Sequence, residues 1–153
     1  MNNSAPDCAD CPDKETGYIQ PLQAGRILVT GATGFVGQNL CKALDKFGYK
    51  LRVLVRDDKA DPFFKSLKAE IYKGDIRDKD VVDGACAGVE GVFHLASIVQ
   101  QAGISDREFW NVHVTATRRL LEAAKKADVK RVVHCSTVGV LGHVADPPAD
   151  ENT

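Results

Sequence analysis

The chain has 153 residues, a formal net charge of −1, and hydrophobic and charged fractions of 44% and 27%. That profile suits one ordinary globular domain burying about 70% of its unfolded surface, and it lacks the basic excess of a polyanion binder, so no nucleic-acid partner is expected. No apolar run approaches the ~20 residues of a membrane helix. The polar, acidic start lacks a signal peptide's basic end and apolar stretch, so a cytoplasmic protein without a membrane partner is expected.

Residues 1–24 read as a disordered polar tail. Cys8 and Cys11 form a lone CxxC there, with no second ligand pair at zinc spacing and no preceding strand for redox chemistry. No metal site is expected, and the pair reads as two incidental thiols on a solvated segment. Cys41, Cys86 and Cys135 stand in apolar contexts and are expected to pack as small hydrophobes.

From Gly25 the pattern changes. RILVT (26–30) is a β-branched strand, and a glycine-rich turn follows it. Val36, Leu40, Leu44 and Phe47 recur at helical spacing, with Gly48 as the stop. KLRVLVR (50–56) predicts the second strand, DPFFKSLKA (61–69) a short helix and AEIYKG (69–74) the third strand. Asp78 is placed to cap a helix over 78–88, and VEGVFHLAS (89–97) is the fourth strand. Ser105 with Glu108 makes a capping box at the start of a long helix, along which Phe109, Val112, Ala116, Leu120, Ala123 and Ala127 form an apolar stripe. VKRVVHCS (129–136) is the fifth strand. Strands alternating with helices imply right-handed crossovers and a parallel sheet covered on both faces. The expected fold is α/β, a Rossmann-like doubly wound sheet of order 3-2-1-4-5 over residues 25–153.

VTGATGFVG (29–37) carries the chemistry. Gly31, Gly34 and Gly37 lie where the first strand turns into its helix. Glycines there permit a tight turn, close main-chain approach to a pyrophosphate and close helix–strand packing. The opening helix then presents free N–H groups and its positive dipole end to the phosphates. Following a strand and starting a run of βα units, the turn reads as a dinucleotide cradle.

With TGATGFVG (30–37), GDIRD (74–78), VFHLAS (92–97), NVHVT (111–115) and CSTVGVLG (135–142) in this order, residues 26–153 resemble the extended branch of the short-chain dehydrogenase/reductase superfamily. That branch includes NAD-dependent sugar-nucleotide epimerases and dehydratases, 3β-hydroxysteroid dehydrogenases and dihydroflavonol reductases. The resemblance implies an NAD(P) site that includes Gly31, Thr33, Gly34, Phe35, Val36 and Gly37. It also implies that the Asp75 carboxylate accepts from the adenine amino group while the Ile76 main chain meets the ring. Leu95, Ala96 and Ser97 end the strand beside the first one, at the switch point where such sheets bind ligands. His94 is expected to pack at that strand end rather than to take part in catalysis.

The residue facing the adenosine ribose lies roughly 20 positions beyond the glycines, at the end of the second strand. Arg56 stands there, with Asp57 next. A guanidinium there suits a 2′-phosphate, so NADP is expected, with NAD as the alternative. Asp57 turning to the ribose, or Arg56 stacking on adenine, remain open.

By the same resemblance Thr137 would hydrogen-bond the substrate oxygen with Ser136 as its neighbour, and Asn111 would order a water or main-chain group in a proton relay. Val114 stands where the family often has Gly, which would alter helix packing slightly. The family's acid/base is a Tyr with a Lys four residues later, expected after STVGVLG. Here the tyrosines are Tyr18, Tyr49 and Tyr72, all before Thr137. The expectation is therefore a chain truncated after its fifth strand, without the Tyr–Lys pair or the family's C-terminal substrate region. A small-molecule substrate would belong to the full-length enzyme. The alternative is a short NAD(P)-binding sensor or interaction module without turnover. A bare fifth-strand edge would favour association of copies, so a homo-oligomer stays open.

Overall fold

The computed structural model describes residues 25–58, 61–99, 103–143 and 149–150. The tail with Cys8 and Cys11 and most of the closing ADPPADENT lie outside the described residues.

Five parallel strands form one sheet: β1 (Arg26–Thr30), β2 (Lys50–Val55), β3 (Glu70–Lys73), β4 (Gly91–His94) and β5 (Arg131–His134). Their spatial order is β3-β2-β1-β4-β5, so the direction of travel reverses at β1 and β4. Each crossover includes a helix: α1 (Phe35–Lys46), α2 (Asp61–Ser66), α3 (Lys79–Cys86), α4 (Asp106–Trp110) and α5 (Thr117–Lys126). Alternation along β1 sends Ile27 and Val29 into the core under α1 and α2, and Leu28 into the core under α3 and α5.

The Asp78 carboxylate caps α3, accepting from the backbone N–H groups of Asp80 and Val81, and the Ser105 hydroxyl caps α4 through Glu108. Both caps match expectation. The buried face of α1 differs from it. Gly37, Cys41 and Leu44 turn inward, while Val36 and Phe47 are exposed. Small side chains let the helix lie close to the β1 turn: a Cβ on Gly37 would stand 2.7 Å from the Ala32 Cα.

The long helix also departs from a uniform α pattern, because Asn111–Ala116 forms a π turn between α4 and α5. Val112, Ala116 and Leu120 are buried at successive steps of four. Four residues overshoot a 3.6-residue turn, and one wider turn absorbs the excess and keeps the stripe on the sheet. β5 is the sheet edge expected of the fifth strand, with Val133 42% accessible. Cys41 and Cys86 are buried, and burial pushes both thiols up to about 11. Cys135, expected to pack as a small hydrophobe, is instead exposed just beyond the edge strand.

One charge is buried in the sheet. Arg52 Nη1 donates to the carbonyl oxygens of Ala85 (2.8 Å) and Ala87 (2.6 Å) at the end of α3, and Nη2 meets Glu70 at 3.0 Å. It serves the C-terminal carbonyls of α3, where a cation is favoured. Arg52→Leu is expected to cost about 2 kcal/mol in urea unfolding, because it leaves those carbonyls without donors. A loss below ~0.5 kcal/mol, the scale of an ordinary surface substitution, would refute this role.

Candidate cofactor-binding site

A cleft opens at the carboxyl ends of β1, β2 and β4, and its floor is the glycine turn. Gly31 adopts φ +69°, and a Cβ there would lie 2.5 Å from the Leu95 carbonyl carbon. The β1 turn therefore rests directly on the Leu95–Ala96 peptide. Gly34 precedes α1 with extended backbone and gives the helix no side-chain cap, and the first turn of α1 holds no acidic residue. The opening amides of α1 thus face the turn without a competing carboxylate, as an anion requires.

Gly31, Thr33, Gly34, Arg56, Asp75, Ile76, Leu95, Ala96 and Ser97 all line this one cleft. Of the remaining expected cofactor residues, Phe35 and Val36 form the exposed first turn of α1, and Gly37 is the close-packing glycine beneath it. Neither Ser136 nor Thr137 lines the cleft. Both are exposed beyond β5, and the Thr137 hydroxyl accepts from the Gly139 N–H at 3.2 Å. Asn111 opens the π turn beside Val112, which does line the cleft.

The Asp75 side of the cleft is braced by a residue that the sequence reading passed over. Arg77 donates through Nε (2.9 Å) and Nη2 (2.7 Å) to the two carboxylate oxygens of Asp75, and its backbone N–H donates to the same group at 2.8 Å. These bonds, with the nearby Arg56 charge, hold the Asp75 carboxyl below its ordinary range. A carboxylate offers about four lone-pair positions, so an amino group can still be accepted. Arg77 also faces Glu108 of α4 at 3.6 Å, and its carbonyl accepts from Arg119 of α5. The signal was its position immediately after the Asp–Ile pair in GDIRD.

His94 is 1% exposed and hydrogen-bonded at both ring nitrogens, to the hydroxyls of Thr30 (2.7 Å) and Thr117 (2.9 Å). It is a satisfied interior histidine, as expected. Burial is the main cause that lowers its pKa to about 4, with His134, stacked at 5.0 Å, and His113 adding to the effect.

Among the described residues no cluster of three or more metal-ligating side chains occurs, and no helix is long and apolar enough to cross a membrane.

Residues 27–153 match the model of the NAD dependent epimerase/dehydratase family. Over 115 residues the chain is 39% identical to sterol demethylase protein B of Methylococcus capsulatus, covering 75% of this chain and 35% of that one. It is 36% identical over 125 residues to a 3 beta-hydroxysteroid dehydrogenase/Delta 5-->4-isomerase of Mycobacterium tuberculosis, covering 78% and 33%. A short-chain dehydrogenase/reductase superfamily protein from Agrobacterium tumefaciens, solved with bound NAD, superimposes with a TM-score of 0.66 at 32% identity, covering 76% and 34%. The chain spans about a third of the length of these relatives. With the glycine turn, the switch-point cleft and the strand order in agreement, the chain belongs to the NAD-dependent epimerase/dehydratase family.

Proposed function

We propose that the chain supplies the NAD(P)-binding part of an oxidoreductase, epimerase or dehydratase that moves hydride to or from a carbonyl or carbinol carbon. The observation that carries this reading is the cleft itself, where a glycine turn, an uncapped helix start and the end of β4 meet. The α1 amides and the main chain around Gly34 would hold the pyrophosphate. Asp75 would accept from the adenine amino group with Ile76 against the ring, and Leu95, Ala96 and Ser97 would flank the dinucleotide toward its nicotinamide. Bound there, the nicotinamide would supply or receive the hydride. Thr137 would donate its hydroxyl hydrogen to the substrate oxygen as charge develops, while its oxygen still accepts from the Gly139 N–H, with Ser136 beside it and Asn111 ordering a water.

Arg56 immediately follows β2 at the cleft rim, with no hydrogen bond or ion pair among the described residues. It would take the 2′-phosphate of NADP, making NADP the preferred cofactor and NAD the alternative. Bonds to a charged group contribute about 1.5–3 kcal/mol, so Arg56→Ala should weaken NADPH about 10- to 100-fold and leave NADH unchanged. Fluorescence titration reads both. Equal affinity of the unaltered chain for the two dinucleotides would sink the 2′-phosphate assignment.

The second reading is dinucleotide binding without turnover by these residues alone. It is favoured by the two described tyrosines, both away from the cleft. Tyr49 lines a groove with Leu44, Phe93 and Val133, and Tyr72 packs beside Gly84 of α3. Carbonyl reduction by this chain with NADPH would eliminate that reading.

A further inference from the structure

Thr30 is the last residue of β1, and both of its acceptors are used to hold the end of β4. Its carbonyl accepts from the Leu95 N–H at 3.1 Å, and its hydroxyl accepts from the Ala96 N–H at 3.3 Å. The peptide pinned between those two N–H groups is the one against which Gly31 rests, within 2.5 Å of where a Cβ would be. A threonine hydroxyl rotates freely unless its own hydrogen has an acceptor. The group in reach is the His94 Nδ1 at 2.7 Å, and the Thr117 hydroxyl lies 2.9 Å from Nε2 on the other side of the ring. All three side chains face the α5 side of the sheet, and Thr30 and His94 are each 1% exposed.

We propose that His94 is a positioning residue for the dinucleotide cleft. Through the Thr30 hydroxyl it fixes the Leu95–Ala96 peptide against the glycine turn, and so sets the width of the cleft where β1 and β4 diverge. This rests on the cofactor reading above. This role requires one ring tautomer. For the Thr30 hydrogen to go to Nδ1, the ring proton must sit on Nε2 and be donated to Thr117. A ring kept neutral by burial is able to act as this acceptor.

The two ends of the ring can be separated by substitution. Asparagine places its amide near the Nδ1 position and retains the Thr30 bond, whereas glutamine reaches the Nε2 position and retains the Thr117 bond. His94→Asn, His94→Gln, Thr30→Val and Thr117→Val would each be titrated with NADH and NADPH, with melting temperature measured alongside. Losing one hydrogen bond corresponds to roughly a five- to tenfold weakening. That loss is expected in His94→Gln and Thr30→Val but not in His94→Asn or Thr117→Val, whatever the ranking of melting temperatures. Without ligand, amide exchange at Ala96 should accelerate in the same two variants, and nitrogen NMR of the unaltered chain should show the His94 proton on Nε2. Affinity that follows melting temperature across all four variants would overturn the inference, as would unchanged Ala96 exchange in Thr30→Val. An unaltered chain that binds neither dinucleotide overturns the cofactor reading and this role with it. Binding that persists undiminished in Thr30→Val overturns the inference alone.

Discussion

Gly31→Ala is expected to cost about 2–5 kcal/mol of stability and to abolish dinucleotide binding. Two penalties combine. A side chain in the left-handed region costs about 1–2 kcal/mol, and forcing a methyl group into packed structure costs about 1–3 kcal/mol. Here the obstacle is backbone, the Leu95–Ala96 peptide at 2.5–2.6 Å, which has no rotamer with which to move aside. Gly88 provides the matched control, because it has the same φ of +69° with nothing within 4 Å of a would-be Cβ. Gly88→Ala should therefore show the left-handed penalty alone. Urea unfolding of both variants isolates the close approach, and equal losses would mean that the β1 turn does not rest on β4 as described.

Stability should also fall by roughly 3 kcal/mol as pH drops from 6.5 to about 4. His94 is lowered from 6.5 to about 4 in the folded chain, chiefly by burial. In that window the unfolded chain binds a proton that the folded chain refuses, so acid favours unfolding, at about 1.4 kcal/mol per pH unit. Above pH 6.5 the histidine is neutral in both states and contributes no slope. Asp75 acts lower down: its carboxyl is held below 3.8, so the stability it adds is present above 3.8 and is lost only as pH falls through its folded value. Denaturant unfolding across pH 4–8 reads the slope, and His94→Gln should remove it. A slope of the same size in that variant would place the proton elsewhere.

The strand order was legible because each strand is a short β-branched run and each crossover is right-handed, which leaves few topologies open. The glycine turn was legible because Gly31 and Gly37 sit where backbone comes too close for a Cβ. What escaped depends on contacts that local pattern does not encode. The inward face of α1 is built on Gly37 and Cys41, which carry little hydropathy, so the larger Val36 and Phe47 misdirected the reading. The π turn answers a stripe set by packing on the sheet rather than by helix propensity. Arg77 was passed over because nothing in the local pattern marks its guanidinium as the partner of Asp75. The partners of His94, Thr30 and Thr117, are 64 and 23 residues distant in sequence, and only the assembled sheet brings them to one ring.

The measurement that bears most directly on the cofactor cleft is amide chemical-shift mapping of the chain during titration with NADPH. The account predicts saturable shifts confined to the turn and helix start at 31–36, to Arg56, to 75–77 and to 95–98. Shifts centred instead on the Tyr49, Phe93 and Val133 groove, or no saturable shifts at all, would contradict it.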